Sequence, residues 1–342
     1  TTVRSQRYLG GIYMEQSAVM KSKIEIARNL KGYSFPHKLS SKEADIIIDK
    51  VKNTLSNSKY EFILHRKNDL SEIEINALIE MELIDDNFLE SQNAALLINT
   101  DKTICILING LDHIKIQVVG NNDIKGLYEI GNEIDDILES NLEYAFDKDL
   151  GYLTTCPVNV GTGLKITNTI HIPSIEKLKQ VDDYYKIAHK IGVNFKGVYG
   201  KTKSILGSLY TISNSIMLGR SESNIIQSVE SMSNDLSKRE YESREVLKNL
   251  EKINLEDEIF RSLAILSSAR VITNSELMQC LSNVKLGIEM GYIEDVSLEK
   301  ITKLMTGRQP YLKIISAYDE ENKIERATYI RREFSLANRN NK

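Results

Sequence analysis

The residues of this chain whose types and spacing suit chemistry lie in one short segment that ends at Lys165. In order, the segment contains Cys156-Pro157, Asn159, the Gly161-Thr162-Gly163 turn and Lys165, and a run rich in β-branched residues follows. A thiolate can act as a nucleophile, but no histidine at motif spacing supports Cys156 in that role. A lone cysteine is more often a small buried hydrophobic residue. Both interpretations of Cys156 stay open at this point.

Alternation predicts two strands that place cations and hydroxyl groups on one side. After the turn, Leu164, Ile166, Ile170 and Ile172 alternate with Lys165, Thr167, Thr169 and His171. In the second strand, Ile114, Ile116 and Val118 alternate with His113, Lys115 and Gln117. Successive side chains of a strand point to opposite faces, so each strand has one apolar and one polar face. From alternation alone, a solvated sheet face explains this pattern more often than a binding site does.

The segment around Cys156 resembles the Cys-Pro-x-Asn-x-Gly-Thr-Gly-Leu-Arg signature of the ATP:guanido phosphotransferases. The resemblance covers nearly the whole chain, with further matches at residues 24–30, 147–153 and 284–292, and within the family it points to the bacterial protein-arginine kinases. It implies an α+β fold in which an antiparallel sheet is flanked by helices and followed by a helical C-terminal domain. It also implies ATP with Mg²⁺ as cofactor and protein arginine as phosphate acceptor.

In this family a set of arginines binds the ATP phosphates across the sheet, and the resemblance transfers those roles to lysines here. The matching residues are Lys23, Lys115, Lys165 and Lys196, while Glu25 stands where a fifth arginine is expected. Lysine keeps the positive charge but lacks the planar fork that binds phosphate through two hydrogen bonds. We therefore expect weak binding of Mg-ATP at these four lysines, and no metal site built from protein side chains alone.

The two acids that the family uses to hold the guanidinium and to accept its proton are replaced in this chain. The family motif Asn-Glu-Glu-Asp-His reads Asn109-Gly-Leu-Asp-His113, so Leu111 occupies one position, and Lys201 occupies the other in Tyr199-Gly-Lys201. A positioned general base contributes roughly 10²–10⁴ in rate. Asp112 remains and is interpreted as a structural or metal-shell acid. The resemblance places Cys156 beside the guanidinium, where a thiolate helps to orient the substrate.

These replacements predict a protein-arginine kinase homologue whose phosphotransfer is weak or lost. The alternative hypothesis is a pseudokinase scaffold that acts by binding other proteins in the stress response and in control of Clp protease. The resemblance implies a homodimer and partners such as a zinc-binding adaptor, a heat-shock repressor and the Clp machinery. Detection of phosphoarginine on a protein substrate distinguishes the two hypotheses.

Composition narrows the class of protein further. The 342 residues carry a net charge of −4 and a pI of about 5.9, so no global positive field favours nucleic acid or an anionic membrane. No apolar run approaches the roughly 20 residues of a membrane span. Cys105, Cys156 and Cys280 lie far apart and form an odd set, which suggests a reducing cytosol. We expect a cytoplasmic protein without a direct nucleic-acid or membrane partner.

Hydrophobic periodicity predicts a sheet-containing body followed by helices. The predicted strands are residues 94–99, 103–109, 113–119, 163–173, 193–199 and about 209–214, joined in part by hairpin turns that favour antiparallel pairing. The predicted helices of the body are 41–55, 75–83, 127–142 and 175–191. Beyond Gly219 the predicted helices are 223–250, 256–268, 275–286, 297–305 and 320–334. We place a boundary near Leu250, between a catalytic-type domain (1–250) and a helical domain for dimerisation or partner binding (251–342).

The helical tail retains only part of a motif that the resemblance implies. In protein-arginine kinases this domain dimerises and carries a phosphoarginine pocket with the motif Arg-Asp-x-x-Arg-Ala. Here the corresponding residues are 322–327, and only Arg326 and Ala327 match. A stripe of Leu255, Ile259, Leu263 and Leu266 fits either a helical core or a dimer interface, and a core is the more frequent case.

Overall fold

A computed structural model of the chain describes residues 17–199, 204–307 and 322–337. The strands are β1 (Val19–Arg28), β2 (Phe62–Arg66), β3 (Ala95–Asn99), β4 (Ile104–Ile108), β5 (Ile114–Gly120), β6 (Phe146–Asp147), β7 (Gly151–Tyr152), β8 (Leu164–His171), β9 (Val193–Tyr199) and β10 (Ile205–Asn214). The helices are α1 (Ser41–Leu55), α2 (Glu72–Glu80), α3 (Asp86–Glu90), α4 (Ile124–Glu139), α5 (Pro173–Lys177), α6 (Val181–Ile191), α7 (Glu222–Leu250), α8 (Lys252–Ser268), α9 (Asn274–Glu289), α10 (Leu298–Met305) and α11 (Lys323–Ala337).

Within the described residues, eight strands form one sheet in the order β2-β3-β4-β5-β1-β8-β10-β9. Every neighbouring pair in it is antiparallel. The predicted antiparallel sheet flanked by helices, followed by a helical C-terminal region, is therefore confirmed. Strands β1 and β2 were not predicted, and β1 lies at the centre of the sheet between β5 and β8.

One face of the sheet is apolar and carries the main core. Ile24 and Ile26 of β1 are buried there with Ile116 of β5 and Ile166 of β8. Helices α4 and α7 pack on this face. Gly131 of α4 allows the close approach, since a Cβ built on it would lie 3.2 Å from the Ile26 side chain. This layer holds β1, β5 and β8 in fixed register.

Among the described residues, helices cover the opposite face at its two ends. Over β3 and β4, the segment that contains α2 and α3 packs Leu83 and Phe88 against Leu96 and Leu107. Over β10, the C-terminal helices pack against Leu209, and a Cβ built on Gly207 would lie 2.6 Å from the Met278 carbonyl oxygen. Between these two covers, β5, β1 and β8 present a polar strip.

Several helix boundaries differ from the prediction. Residues 175–191 were predicted as one helix, but α5 ends at Lys177 and α6 begins at Val181, because Lys179 has a φ of 59° that no helix accommodates. In the tail, Leu255, Ile259 and Leu266 are buried, as the core interpretation of their stripe expects. The division of the chain at Leu250 stays a prediction. Among the described helices, none has the length and apolar character that crossing a membrane requires.

Candidate active site

The four lysines predicted to bind phosphate lie on the polar face of the sheet. Residues directly opposite each other on neighbouring strands share a face. Glu25, two positions after Lys23, lies opposite Lys165, and Ala27 lies opposite Lys115. Lys196 lies opposite Thr211 of β10, which lies opposite Thr169 of β8. We call this set, Lys23, Lys115, Lys165 and Lys196, the lysine face.

Glu25 lies at the centre of the lysine face. Its side chain is 3.3 Å from the ammonium group of Lys23 and 3.8 Å from that of Lys115. The side-chain amide of Gln117 donates a hydrogen bond of 3.2 Å to the same carboxylate. Burial raises the pKa of Glu25, but the charges of Lys23, Lys115 and Lys165 outweigh that effect and lower its pKa to about 2. The carboxylate is therefore charged throughout the physiological range.

Two further acids reach the same strip from the segment that contains α2 and α3. Asp85 forms an ion pair with Lys115, and Glu82 forms one of 2.7 Å with Lys21 on β1. Burial lowers the pKa of Lys23, yet the charges of Glu25 and Glu82 raise it above the ordinary value. Lys165 and Lys196, in contrast, are exposed. The lysine face is thus divided into a half neutralised by carboxylates and an exposed half.

Asp112 connects the loop that carries Leu111 to the segment that carries Cys156. Its Oδ1 atom accepts hydrogen bonds of 2.7 Å from the Asn29 side chain and from the backbone N–H of Thr155. The same asparagine accepts a hydrogen bond from the backbone N–H of His113. Asp112 is only 3% exposed. This bonding places the loops of Leu111 and Cys156 side by side, and the interpretation of Asp112 as a structural or metal-shell acid stays a prediction.

His113 is held as a neutral ring in the same network. The backbone N–H of Leu30 donates to Nδ1 at 2.9 Å, so Nε2 carries the proton and donates to the carbonyl of Ser34 at 2.8 Å. Burial lowers the pKa of His113, although the Ser34 carbonyl and the charge of Asp112 oppose that shift. Both ring nitrogens are engaged, so His113 acts as a brace rather than as a general base.

The signature turn is built around close backbone contacts. Gly163 has a φ of 65°, and a Cβ built on it would lie 2.5 Å from the Ala27 carbonyl oxygen and 2.6 Å from Nη1 of Arg28. Arg28 donates to the Thr162 carbonyl at 2.9 Å and to Asp135 of α4 at 2.6 Å. Its guanidinium carbon lies 3.5 Å from the centre of the Tyr152 ring. These contacts fix the turn against β1 and α4.

Cys156 precedes a single turn of 3₁₀ helix, Pro157–Asn159. Its carbonyl accepts hydrogen bonds of 2.9 Å from the Asn159 N–H and 2.8 Å from the Thr154 hydroxyl. Its thiol is free and partly exposed, whereas the thiols of Cys105 and Cys280 are buried. Cys156 is therefore not a fully buried hydrophobic residue, and its role beside the guanidinium stays a prediction.

One predicted residue cannot be placed, and another is covered by a helix. Lys201 lies outside the described residues, so its position relative to Leu111 is not described. His171 lies on the predicted face, opposite Leu209 of β10, but α9 covers it there, and its Nε2 lies 2.8 Å from the Ser282 hydroxyl. Sequence reasoning missed Glu82, Asp85 and Asn29. Only Asn29 had a signal, since it belongs to the 24–30 match, while the two acids lie far from every motif.

The exposed half of the lysine face fits a polyphosphate. Lys165 and Lys196 provide cations, and Thr167 and Ser213, which lie opposite each other on β8 and β10, provide hydroxyl groups between them. Lys23 and Lys115 could also bind the polyphosphate only if their ion pairs with Glu25 and Asp85 were broken. Within the described part of the chain, no group of three acid, cysteine or histidine side chains could hold a metal ion. Mg²⁺ that accompanies a nucleotide is usually bound by its phosphates, one or two carboxylates and water.

Two protein-family models match the chain in succession. The ATP:guanido phosphotransferase C-terminal catalytic domain matches residues 44–243, and the protein-arginine kinase McsB C-terminal domain matches residues 252–342. Among relatives, a protein-arginine kinase of Clostridium kluyveri is 37% identical over 329 residues, which cover 93% of this chain and 95% of the relative. One of Bacillus cereus is 34% identical over 333 residues and 94% of each chain.

Solved structures show the same fold at lower identity. The duplicated taurocyamine kinase of Schistosoma mansoni, with bound transition-state analogue components, aligns with a TM-score of 0.62 at 21% identity. That alignment covers 73% of this chain and 38% of the duplicated kinase. Lombricine kinase aligns with a TM-score of 0.58 at 21% identity over 69% of both chains. At these identities the likeness concerns the fold alone.

Proposed function

This chain belongs to the ATP:guanido phosphotransferase family, in its protein-arginine kinase branch, and we propose that its phosphotransfer to protein arginine is weak or absent. The observation that carries the proposal is Leu111, an aliphatic residue on a loop braced beside Cys156, where the family motif has a carboxylate. An isobutyl group cannot accept the guanidinium proton. Lys201 adds a positive charge where the motif has the second acid.

The remaining groups would orient substrate without activating it. The Cys156 thiol is available to a guanidinium, while both hydrogen bonds to Oδ1 of Asp112 serve the backbone and Asn29. Transfer of a phosphoryl group depends on holding the acceptor in line and removing its proton. Loss of one general base lowers the rate by roughly 10²–10⁴. With two acids replaced, turnover far below that of an intact relative is expected.

We also propose that the chain still binds Mg-ATP although its catalytic activity is weak or lost. Lys165 and Lys196 are exposed on one sheet face and can form charge-assisted hydrogen bonds with the phosphates of Mg-ATP. Glu25 opposes them, so binding should be weak and sensitive to salt. Calorimetric titration of the parent and of Lys165→Ala tests this. The parent should bind at millimolar nucleotide and the variant more weakly, whereas no binding by the parent would make the lysine face a solvated surface.

The second candidate is a pseudokinase scaffold that acts by binding other proteins. The carboxylates of Glu25 and Asp85 on the lysine face favour it, because they lower the affinity for nucleotide. In this form the protein would be a cytoplasmic homodimer that contacts components of the stress response. Three free thiols agree with a reducing compartment.

Incubation with ATP and an arginine-rich protein, followed by detection of acid-labile phosphate, tests the main proposal. The expected result is phosphoarginine at a rate at least about a hundredfold below that of an intact relative assayed in parallel. A rate equal to that of the relative would overturn the proposal. Complete absence of phosphoarginine, with Mg-ATP still bound, would favour the scaffold.

A further inference from the structure

An acidic arm, residues 81–85, connects α2 to α3 and lies beside the half of the lysine face that carries carboxylates. From this arm, Glu82 binds Lys21 at 2.7 Å and Asp85 binds Lys115. Lys21 and Lys115 belong to β1 and β5, which are neighbours in the sheet. One five-residue connection thus places two carboxylates on cations of two adjacent strands.

The backbone of the arm is held in a conformation that its sequence does not favour. The N–H of Leu83 donates to the Leu78 carbonyl and the N–H of Glu82 to the Ile79 carbonyl, both at 2.9 Å. This pair of hydrogen bonds ends a helix with a residue in the left-handed region, usually glycine. Here that residue is Glu82, with a φ of 56°. A strained glutamate at a glycine position, ion-paired at its tip, indicates a role for the carboxylate.

The arm is anchored at both ends. After it, Asp85 also caps α3 by accepting a hydrogen bond of 3.0 Å from the Phe88 N–H, and Phe88 is fully buried. Before it, a Cβ built on Gly307 would lie 2.4 Å from the Glu80 carbonyl oxygen, so the C-terminal region contacts the end of α2. These contacts hold both ends of the arm in the structure, with Glu82 and Asp85 on their lysines.

We propose that Glu82 and Asp85 are internal competitors of the nucleotide phosphates, which reach Lys115 and the cations beside it only when the acidic arm leaves them. This inference rests on the proposed binding of Mg-ATP at the lysine face and identifies what limits its affinity. Carboxylate and phosphate oxygens both accept charge-assisted hydrogen bonds from ammonium groups, and a carboxylate already on a lysine takes up its donors and repels the phosphate, so the two anions compete. The chain therefore carries, in the acidic arm, its own anions that compete with phosphate for these lysines.

Two double variants, each of which replaces two carboxylates with amides, test the competition. Glu82→Gln with Asp85→Asn removes two charges from the arm, and asparagine still caps α3. The matched control, Asp86→Asn with Glu90→Gln, removes two charges from exposed positions on α3, which begins directly after the arm. Calorimetry with Mg-ATP and with inorganic tripolyphosphate should give an affinity at least about fivefold higher for the arm variant than for the control.

The variant Glu82→Gly and a measurement of amide hydrogen exchange test the competition in two further ways. Glu82→Gly removes the charge and also relieves the left-handed strain, which offsets part of the cost of removing a carboxylate from the buried Lys21, and it should bind both anions more tightly. In the parent, Mg-ATP should accelerate amide hydrogen exchange in residues 81–85. If the parent and all variants bind equally, the competition is overturned while nucleotide binding stands. If no protein binds either anion, both proposals fail.

Discussion

At the scale of single residues, Glu25 determines the electrostatic character of the site. Its carboxylate lies among Lys23, Lys115 and Lys165, and their charges hold its pKa near 2 although burial acts in the opposite direction. A pKa below the ordinary value of 4.5 means that the folded chain favours the charged form. The contribution to stability is therefore fully present above about pH 4.5 and is lost as the pH falls towards 2.

Replacement of Glu25 by Gln tests this linkage. At pH 7 the variant should lose up to about 3 kcal/mol of unfolding free energy, and the difference from the parent should shrink as the pH falls from 4.5 to 2. Denaturant unfolding at several pH values measures both. Glu143→Gln, which removes an exposed ion pair with Lys31, should change little at any pH. A Glu25→Gln loss independent of pH would contradict the assigned charge interactions.

At the scale of elements, the signature turn depends on glycines that allow backbone contact. Gly163→Ala should lower stability by about 3 kcal/mol, because its Cβ would meet the Ala27 carbonyl oxygen at 2.5 Å in addition to the strain of a positive φ. Gly32→Ala is the matched control. It has a φ of 83° but nothing within 4 Å of its Cβ, so it should lose only about 1 kcal/mol. Equal losses in thermal unfolding would show that contact at Gly163 is unimportant.

The sequence anticipated the elements whose patterns are local. Ile104–Ile108 and Ile114–Gly120 form the predicted hairpin, and the helix predicted over 75–83 is found as α2, which begins three residues earlier, at Glu72. Strand β1 was not predicted, although its isoleucines alternate with lysines and a glutamate in the pattern that predicted β5 and β8. The split between α5 and α6 was missed since Lys179, rather than glycine, adopts the positive φ.

The candidate site was anticipated only where a motif defines it. Register brings Lys23, Lys115, Lys165 and Lys196 to one face, as predicted. Nothing in the sequence indicated that Glu82 and Asp85 would reach that face, because they come from a segment without a motif and contact it only through tertiary packing. Long-range ion pairs of this kind cannot be inferred from spacing along one chain.

At the scale of the whole molecule, a buried ionic cluster joins the sheet-containing part to the C-terminal helices. Arg244 of α7 donates to Glu240 at 3.2 Å and to Glu289 of α9 at 2.8 Å, and Lys285 also pairs with Glu289. Burial raises the pKa of Glu240 and lowers that of Lys285. Glu240 also accepts hydrogen bonds from the first N–H groups of α5. The cluster thus couples three helices to the end of β8.

Arg244→Met tests how strongly this cluster contributes. Because it leaves two buried carboxylates with fewer partners, the variant should lose about 3 kcal/mol or more of unfolding free energy. Arg239→Met, on the same helix, removes an exposed ion pair with Glu242 and should be nearly silent. Chemical denaturation of both variants measures the difference. A silent Arg244→Met would mean that the two parts of the molecule are held together by apolar packing alone.

Restoration of the missing acids tests whether their loss limits phosphotransfer by this chain. The double variant Leu111→Glu with Lys201→Glu returns a carboxylate to each position where the family motif has one. In the assay with ATP and an arginine-rich protein, it should form phosphoarginine at least about a hundredfold faster than the parent. Leu111→Gln with Lys201→Gln, which has neither carboxylate, should stay at the parent rate. If the parent already transfers phosphate as fast as the double variant, the loss of the two acids does not limit this chain and the account is wrong.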